Sequence, residues 1–177
     1  ANKLGKLSKN RFIAYLMENT SEEIIGISRS AEKNIVFSPY APIIKKNRFR
    51  FLVKDIKDTS SLMEILDREK PEIIINFVGQ AEVSTSWIYP EQWFETNTLA
   101  IVRFAQELKS RDYLKKYFAF SSPEVYGSMK ENTAENSNYQ PTTPYAVSKL
   151  AGDLFLRTLH IKEKFPVIFI LCAPSSF

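Results

Sequence analysis

The feature that most constrains the fold is a series of five short apolar runs separated by longer segments with helical periodicity. The runs are rich in Ile, Val and Phe. Near-continuous apolar strands of this kind are typical of a parallel sheet that is covered by helices on both faces. The sequence therefore predicts a doubly wound α/β fold with a parallel sheet. The strands are expected at Ile24 to Ile27, Phe49 to Val53, Ile73 to Val78, Tyr117 to Phe120 and Val167 to Leu171.

Three helices are predicted between the later strands. Ser60 or Ser61 can cap the first, and Pro90 can open the second, because its ring suits the first helical position. In the second helix the apolar residues form one stripe, and Asn97 is a polar residue on that stripe. The helices are expected at Leu62 to Glu69, Glu91 to about Lys109 and Pro144 to Lys162.

Composition excludes several classes of protein. The 177 residues are 44% apolar with a net charge of +4, as expected of one globular domain. A single cysteine, Cys172, cannot form an internal disulfide, and no apolar run is long enough to span a bilayer. The largest basic cluster is interpreted as a solvated connection rather than a nucleic-acid surface. We therefore expect a cytoplasmic protein without a nucleic-acid or membrane partner. The cluster contains Lys45, Lys46, Arg48 and Arg50.

Both ends of the chain look unfinished. A doubly wound nucleotide-binding domain normally begins with an apolar strand that runs into a glycine-rich turn. Here a helix-like segment follows Ala1 directly, and little follows the last strand after Cys172. The sequence is therefore interpreted as a domain that is incomplete at both ends.

Tyr145 and Lys149 have the helical spacing that places two side chains on one face. A nearby ammonium favours the phenolate, so Tyr145 is expected to have a lowered pKa and to accept a proton. Tyr126 and Lys130 have the same spacing, so spacing alone does not decide between the pairs. Tyr145 follows Pro144 at a helix start, whereas the other pair lies in a polar stretch from Gly127 that reads as a loop.

Two motifs together carry a resemblance. The segment S-S-P-E-V-Y-G ends a predicted strand, where ligands bind in parallel α/β folds, and P-Y-A-V-S-K starts a helix. This combination, with N-F-V-G-Q-A-E-V and E-T-N upstream, resembles the extended short-chain dehydrogenase/reductase family. Within it, the sequence is most similar to the nucleotide-sugar 4,6-dehydratases of the GDP-mannose type. The resemblance covers about Phe12 to Leu171 and implies a Rossmann-like, dinucleotide-binding domain over residues 1–177, without the C-terminal substrate-binding part.

The resemblance implies a role for each matching residue. Tyr145 would take the proton of the sugar 4-hydroxyl while C4 loses hydride to a nicotinamide, and Lys149 would hold the cofactor ribose. Ser122 would hydrogen-bond the 4-hydroxyl. Glu124 would remove the C5 proton and assist water loss, after which hydride returns to C6. The sugar would lie near Gln80, Glu82, Ser84 and Ser86.

The expected cofactor is NADP rather than NAD. After the strand that ends at Ile27 come Ser28 and Arg29, with no acid until Glu32, and an arginine accommodates the 2′-phosphate of NADP. The alternative is a solvated loop arginine. By resemblance, the other cofactor contacts are Asp55, Ile56, Val78, Gly79 and Asn97 together with Tyr145 and Lys149.

Structural interpretations of the same residues stay open. Ser122 could cap a turn, Glu124 could be an exposed acid, and Asn97 could be a satisfied core amide. The only histidine, His160, is expected at a helix surface, and no metal site is predicted.

The functional alternatives are an epimerase or decarboxylase of the same family, or a binding module for NADP without turnover. Glu124 argues against a simple 4-epimerase, which needs no base at C5. A homodimer or homotetramer is expected from the resemblance, through the helices at Glu91 to Lys109 and Pro144 to Lys162.

Overall fold

A computed structural model describes residues 3–31, 48–127 and 138–171. The chain divides into two compact units, 1–58 and 59–177. The interpretations that concern Lys45, Lys46, Lys130 and Cys172 lie outside the described residues. No helix in the described ranges combines the length and the apolar character needed to cross a bilayer.

In the described residues of the first unit there are one helix and two parallel strands. Helix α1 spans Lys3–Asn19, and strands β1 (Ile24–Ser28) and β2 (Phe49–Val53) pair in register from Ile24 opposite Phe49 to Ser28 opposite Val53. The side chain of Met17 packs with that of Phe49 in a buried cluster. Burial of such apolar side chains stabilises the packing of the helix against this pair of strands.

Arg48 ties the end of α1 to the start of β2. Its guanidinium Nη2 donates to the carbonyls of Thr20, at 2.6 Å, and Glu22, at 3.2 Å. A cationic side chain that hydrogen-bonds carbonyl oxygens just past a helix C-terminus satisfies acceptors that have no partner within the helix. This member of the basic cluster is therefore a structural residue rather than a solvated one.

The second unit has a three-stranded parallel sheet in the order β3-β4-β5. Longer helical segments connect its strands, as the alternating pattern predicted. In chain order its elements are α2 (Thr59–Glu69), β3 (Ile73–Asn76), a 3₁₀ turn (Ser84–Trp87), α3 (Pro90–Phe94), a π turn (Glu95–Leu99), α4 (Ala100–Leu108), β4 (Lys116–Ser121), a 3₁₀ turn (Pro123–Tyr126), α5 (Pro144–Glu163) and β5 (Val167–Leu171).

The start of α2 corrects one expectation. The helix begins at Thr59, so Ser60 and Ser61 lie inside its first turn and neither is the cap. A turn directly before the helix brings the chain into position, and in it the carbonyl of Asp55 accepts from the N–H of Asp58 at 3.0 Å. Helical backbone then follows directly.

The predicted helix from Glu91 to Lys109 exists but is not regular. Pro90 opens it as expected, and a single π turn interrupts it over Glu95–Leu99 before α4 continues to Leu108. A π turn adds a residue to the helix locally and is frequent at functional sites. Asn97 lies in the middle of this turn.

Candidate active site

Ser122 and Glu124 lie where β4 ends. Ser122 is the N-cap of the 3₁₀ turn, and its hydroxyl accepts from the backbone N–H of Glu124 at 3.3 Å. Pro123 occupies the first position of the turn, where a backbone N–H is not needed. The turn holds both side chains at the carboxyl edge of the sheet, which is where parallel α/β folds bind ligands. The capping role proposed as the structural alternative for Ser122 is therefore present.

The first turn of α5 brings Tyr145 to the same place. Thr143 caps this helix by accepting from the N–H of Ala146 at 3.1 Å, and Pro144 follows at the first helical position. The phenol of Tyr145 lies beside the Ser122 side chain, whose hydrogen bonding lowers the pKa of Tyr145. Tyr145 is 9% exposed, so little water competes for that contact. The structure thus joins residues 23 positions apart into one polar cluster.

The electrostatics of Tyr145 differ from the expectation. Burial raises the pKa of Tyr145 above its ordinary value; the hydrogen bond with Ser122 opposes this, while the charges of Glu124 and Asp153 add to it. The Lys149 ammonium lies on the same helix face but donates to the carbonyl of Phe120 at 2.8 Å. The expected lowering of the Tyr145 pKa is therefore wrong for this structure.

Glu124 is a half-buried carboxyl with a perturbed pKa. Burial raises the pKa of Glu124, and a hydrogen bond with the Thr143 side chain acts in the opposite direction. A carboxyl whose pKa moves toward neutrality both accepts and returns a proton more readily. Glu124 is therefore not the freely exposed acid of the structural alternative.

Asn97 is a fully bonded buried amide. Its Oδ1 accepts from the N–H of Gln80 at 2.8 Å, and its Nδ2 donates to the Gln80 carbonyl at 3.1 Å and to Ser148 Oγ at 3.0 Å. These bonds connect the π turn to the loop after β3 and to α5. The interpretation as a satisfied core amide is confirmed, and a contact with cofactor stays a prediction.

The residues predicted to line the sugar separate into two kinds. Gln80 is held by Asn97, and Ser84 donates to the exposed carboxylate of Glu82 at 2.9 Å. Ser86 is fully buried, and its hydroxyl donates to the Val83 carbonyl and accepts from the Tyr145 N–H at 3.3 Å. Ser86 therefore holds the start of α5, and the sugar contacts of these four residues stay predictions.

The predicted adenosine contacts belong to the first unit. Ser28 ends β1, and Arg29 is exposed just after it. The Asp55 carboxylate accepts from the N–H of Lys57 at 3.0 Å, and Ile56 is buried. None of these positions is placed against a nucleotide here, so their roles stay predictions.

Val78 and Gly79 form the loop that follows β3 in the second unit. The N–H of Val78 donates to Asn76 Oδ1 at 2.8 Å, which turns the chain at the end of the strand. Gly79 is exposed, and a Cβ at that position would meet only Asn97 Oδ1, at 3.8 Å. The loop is thus held at its base and open at Gly79.

Sequence reasoning missed three residues of this site. Thr143 contacts Glu124, Ser148 contacts Asn97, and Asp153 accepts a hydrogen bond from Ser121. The sequence did contain a signal for Thr143 as a helix cap, since a threonine before a proline is a common helix start. It also contained one for Asp153, which continues the four-residue spacing of Tyr145 and Lys149.

Comparison with known proteins assigns this arrangement to a class and then to a family. Parallel strands with helical crossovers and a Tyr-Lys pair beside a Ser-x-Glu turn define the Rossmann-like extended short-chain dehydrogenases/reductases. The sequence model described as GDP-mannose 4,6 dehydratase matches residues 11–175. The chain belongs to this family.

Curated relatives carry a related description. The chain is 32% identical over 130 residues to dTDP-D-glucose 4,6-dehydratase of Homo sapiens, covering 71% of this chain and 36% of that protein. It is 25% identical over 180 residues to dTDP-glucose 4,6-dehydratase of Salmonella typhimurium, covering 91% and 50%. The chain thus spans between a third and a half of the length of these relatives.

Solved structures confirm the Rossmann-like fold. DesIV, a dTDP-glucose 4,6-dehydratase from Streptomyces venezuelae with NAD bound, superposes with a TM-score of 0.75 at 24% identity, covering 95% of this chain and 51% of that one. The UDP-Glc/GlcNAc 4-epimerase from Campylobacter jejuni gives a TM-score of 0.79 at 18% identity, covering 93% and 49%. Dehydratases and epimerases share this fold, so the likeness defines architecture and not activity.

Proposed function

We propose that the protein is a nucleotide-sugar 4,6-dehydratase. The observation that carries the proposal is the cluster in which Ser122 contacts Tyr145 while Glu124, whose pKa is raised by burial, contacts Thr143. A dehydratase needs one group for the 4-hydroxyl proton and another for the C5 proton. The cluster provides two acid–base groups of different kinds on two different elements.

The proposal gives each residue of the cluster a task. Tyr145 takes the proton from the sugar 4-hydroxyl, and Ser122 hydrogen-bonds that hydroxyl. Once C4 is a ketone the C5 proton is acidic, so Glu124 removes it and returns a proton to the departing 6-hydroxyl, which leaves as water. Lys149 provides the positive charge of the cluster.

A nicotinamide dinucleotide fits the donor set of this cluster. A phenol and an ammonium on one helix face suit a nicotinamide ribose, and the open surface at Gly79 leaves room for close approach. When bound, such a cofactor supplies the hydride acceptor and returns the hydride at the end, so the net reaction is loss of water. Residues 1–177 would then serve as its binding domain.

Within the nicotinamide cofactors we propose NADP. Arg29 is exposed beside the end of β1 and Ser28, as expected for residues that receive a 2′-phosphate. The solved structure of DesIV contains NAD instead. Titration of the intact protein with each cofactor tests this point: Arg29→Ala should weaken NADP binding about 10-fold or more and leave NAD binding unchanged. Equal affinities in the parent protein would refute the preference.

The proposed substrate is a sugar nucleotide with a GDP or CDP group. The relatives named above act on dTDP sugars according to their descriptions, so dTDP-glucose is the natural competitor. The second candidate function is a nucleotide-sugar epimerase or decarboxylase of the same fold. The epimerase among the solved structures shares only the fold, and Glu124 opposes a simple 4-epimerase.

The proposed assembly is a homodimer or homotetramer built on the helices of the second unit. Helix α5 presents Val147, Leu154 and Ile161 to solvent at seven-residue spacing, with exposures of 40%, 38% and 62%. An exposed apolar stripe of this length is typical of a helix that packs against a partner. We place the protein in the cytoplasm, with no nucleic-acid or membrane partner.

The deciding experiment uses the intact purified protein. We would incubate it with NADP and, separately, with NAD and a panel of GDP-, CDP-, UDP- and dTDP-hexoses, and follow the sugars by mass spectrometry. Loss of one water from a single sugar nucleotide is the expected result. An unchanged mass with solvent deuterium in the sugar would indicate an epimerase, loss of carbon dioxide a decarboxylase, and tight cofactor binding without any change a binding module.

A further inference from the structure

The second unit contains a half-buried carboxylate that the proposed reaction does not use. Asp153 lies one helical turn after Lys149 on α5, so the two side chains share a face. Its Oδ2 accepts a hydrogen bond from the hydroxyl of Ser121, the last residue of β4. Asp153 therefore bridges the helix and the strand directly beneath the proposed acid–base cluster.

Lys149 and Asp153 also share a small cavity. It has a volume of about 10 Å³, and its polar lining consists of Asn76, Asn97, Lys149 and Asp153. A space of this size takes about one water molecule, which would have several hydrogen-bond partners there. Beyond such a water, the cavity gives the ammonium of Lys149 little solvation.

The two charges compensate each other. Lys149 is 8% exposed. Burial lowers the pKa of Lys149, while the charge of Asp153 raises it. Burial raises the pKa of Asp153, which the charge of Lys149 and the Ser121 hydrogen bond oppose. A buried charge that loses its partner is strongly disfavoured, so either group tends to become neutral when the other is removed.

We propose that Asp153 is a positioning residue, which through the shared cavity stabilises the charged form of Lys149 where its ammonium donates to the Phe120 carbonyl. The inference deepens the proposed function and rests on it only for its catalytic consequence. Lys149 in its charged form is the group that would hold the cofactor ribose. Asp153 acts through Lys149 and touches neither cofactor nor sugar.

Other titratable groups near the pair come from three elements. Tyr145 on α5 and Tyr117 on β4 both feel the charge of Asp153, and Glu124 in the 3₁₀ turn acts on Tyr145. Two further carboxylates on the helical segments form ion pairs with other residues. Glu95 pairs with Arg103, and Glu163 pairs with Lys109. Among the described residues, Asp153 is thus the acid that acts on Lys149.

The test measures the titration of Lys149 itself. Lysine side chains of the intact protein would be labelled with ¹³C at Cε, and Lys149→Arg would identify the Lys149 signal. Asp153→Asn should lower the Lys149 midpoint by about one pH unit or more. Asp153→Glu should restore most of it, Ser121→Ala should lower it by less, and Asp112→Asn, which changes an exposed acid, should leave it unchanged.

The catalytic consequence has its own readout. Since Lys149 acts in its charged form, the alkaline limb of the pH profile of kcat/KM should move to lower pH in Asp153→Asn, by the same amount as the Lys149 midpoint. An unchanged midpoint in both Asp153→Asn and Ser121→Ala would overturn the inference, and Ser121→Ala alone decides if the other variant does not fold. A shifted midpoint without activity on any sugar nucleotide would instead refute the proposed function.

Discussion

Tyr145 and Glu124 reach the same cluster from different elements and with different hydrogen-bond partners. Tyr145 contacts Ser122, and Glu124 contacts Thr143. Their proton transfers are therefore separable. Tyr145→Phe should slow oxidation at C4 by a factor of about 10² to 10⁴. Cofactor binding should be unchanged, because the substitution removes only the phenol oxygen. Glu124→Gln should permit that oxidation and stop water loss.

Single-turnover absorbance of the reduced nicotinamide reports the first step, and the mass of the sugar nucleotide reports the second. Tyr126→Phe is the matched control, since this tyrosine stacks on Tyr139 at 5.4 Å in the neighbouring turn. Equal partial losses of both steps in both variants would contradict separate roles.

Thr143 connects the fold of α5 to the pKa of Glu124. Its hydrogen bond lowers that pKa against the effect of burial, so Thr143→Ala should raise the pKa of Glu124 further. Glu124 acts as a base in its ionised form, and the acidic limb of the water-loss profile should therefore move to higher pH. Loss of the cap should also cost about 1 kcal/mol of stability.

Thr143→Ser is the control for both effects, because serine keeps the hydroxyl that caps the helix and reaches Glu124. Rates measured across pH, together with urea unfolding, would separate the two. A stability loss without any shift of the acidic limb would show that Thr143 only caps the helix.

At the scale of elements, Gly152 sets the distance between α5 and the π turn. A Cβ at Gly152 would lie 2.3 Å from the carbonyl oxygen of Asn97, which is backbone and cannot move alone. Gly152→Ala should therefore separate the two elements and destabilise the protein by about 1 to 3 kcal/mol. Gly79→Ala, whose Cβ would have only an ordinary contact at 3.8 Å, should change the unfolding free energy little. Equal stabilities of the two variants in urea would refute the close crossing.

A second link, on the surface, joins α2 to the segment before β4. Two nitrogens of Arg111 donate to the two oxygens of Asp67, each at 3.0 Å, and the hydroxyl of Tyr113 donates to Asp67 at 2.9 Å. Hydrogen bonding to Arg111 is the main cause of the lowered pKa of Asp67. The stabilisation should be complete above the unfolded value of about 4 and lost as pH falls through the lowered pKa.

Asp67→Asn should thus lower the urea midpoint at neutral pH and match the parent protein in acid. Asp112→Asn, another exposed acid on the same surface, should have no effect at either pH. A difference between parent and Asp67→Asn that persists unchanged in strong acid would contradict the ionic origin of this link.

The elements were predictable to different degrees for physical reasons. The five described strands lie within one or two residues of their apolar runs, because consecutive Ile, Val and Phe residues leave a strong local pattern in the sequence. The π turn left no such pattern, since it depends on how Asn97 bonds to Gln80 and Ser148 across the fold.

The site divides in the same way. Helical spacing predicted that Tyr145 and Lys149 share a face, but the contact of Lys149 with the Phe120 carbonyl arises only when β4 and α5 pack together. The sequence motifs therefore did not predict the electrostatic effects that arise when these side chains are buried.

At the scale of the whole molecule, the apolar stripe of α5 makes a prediction about assembly. Leu154→Arg places a charge in the middle of the stripe and should shift a dimer or tetramer toward smaller species, seen by light scattering after size-exclusion chromatography. Tyr15→Arg changes a tyrosine that is 60% exposed on α1, and should leave the mass unchanged. An unchanged assembly in Leu154→Arg would place the interface elsewhere.

Gly127 closes the 3₁₀ turn of the acid–base cluster against the residues that precede α5. Its φ of +76° and a Cβ position only 2.3 Å from the Gln140 carbonyl oxygen require glycine, and the Gln140 N–H donates to the Val125 carbonyl at 3.0 Å. A side chain larger than hydrogen at Gly127 would therefore push Gln140 away from Val125. The turn that carries Glu124 would then lose its link to the residues that precede α5, so this one glycine sets how far apart the two halves of the acid–base cluster lie.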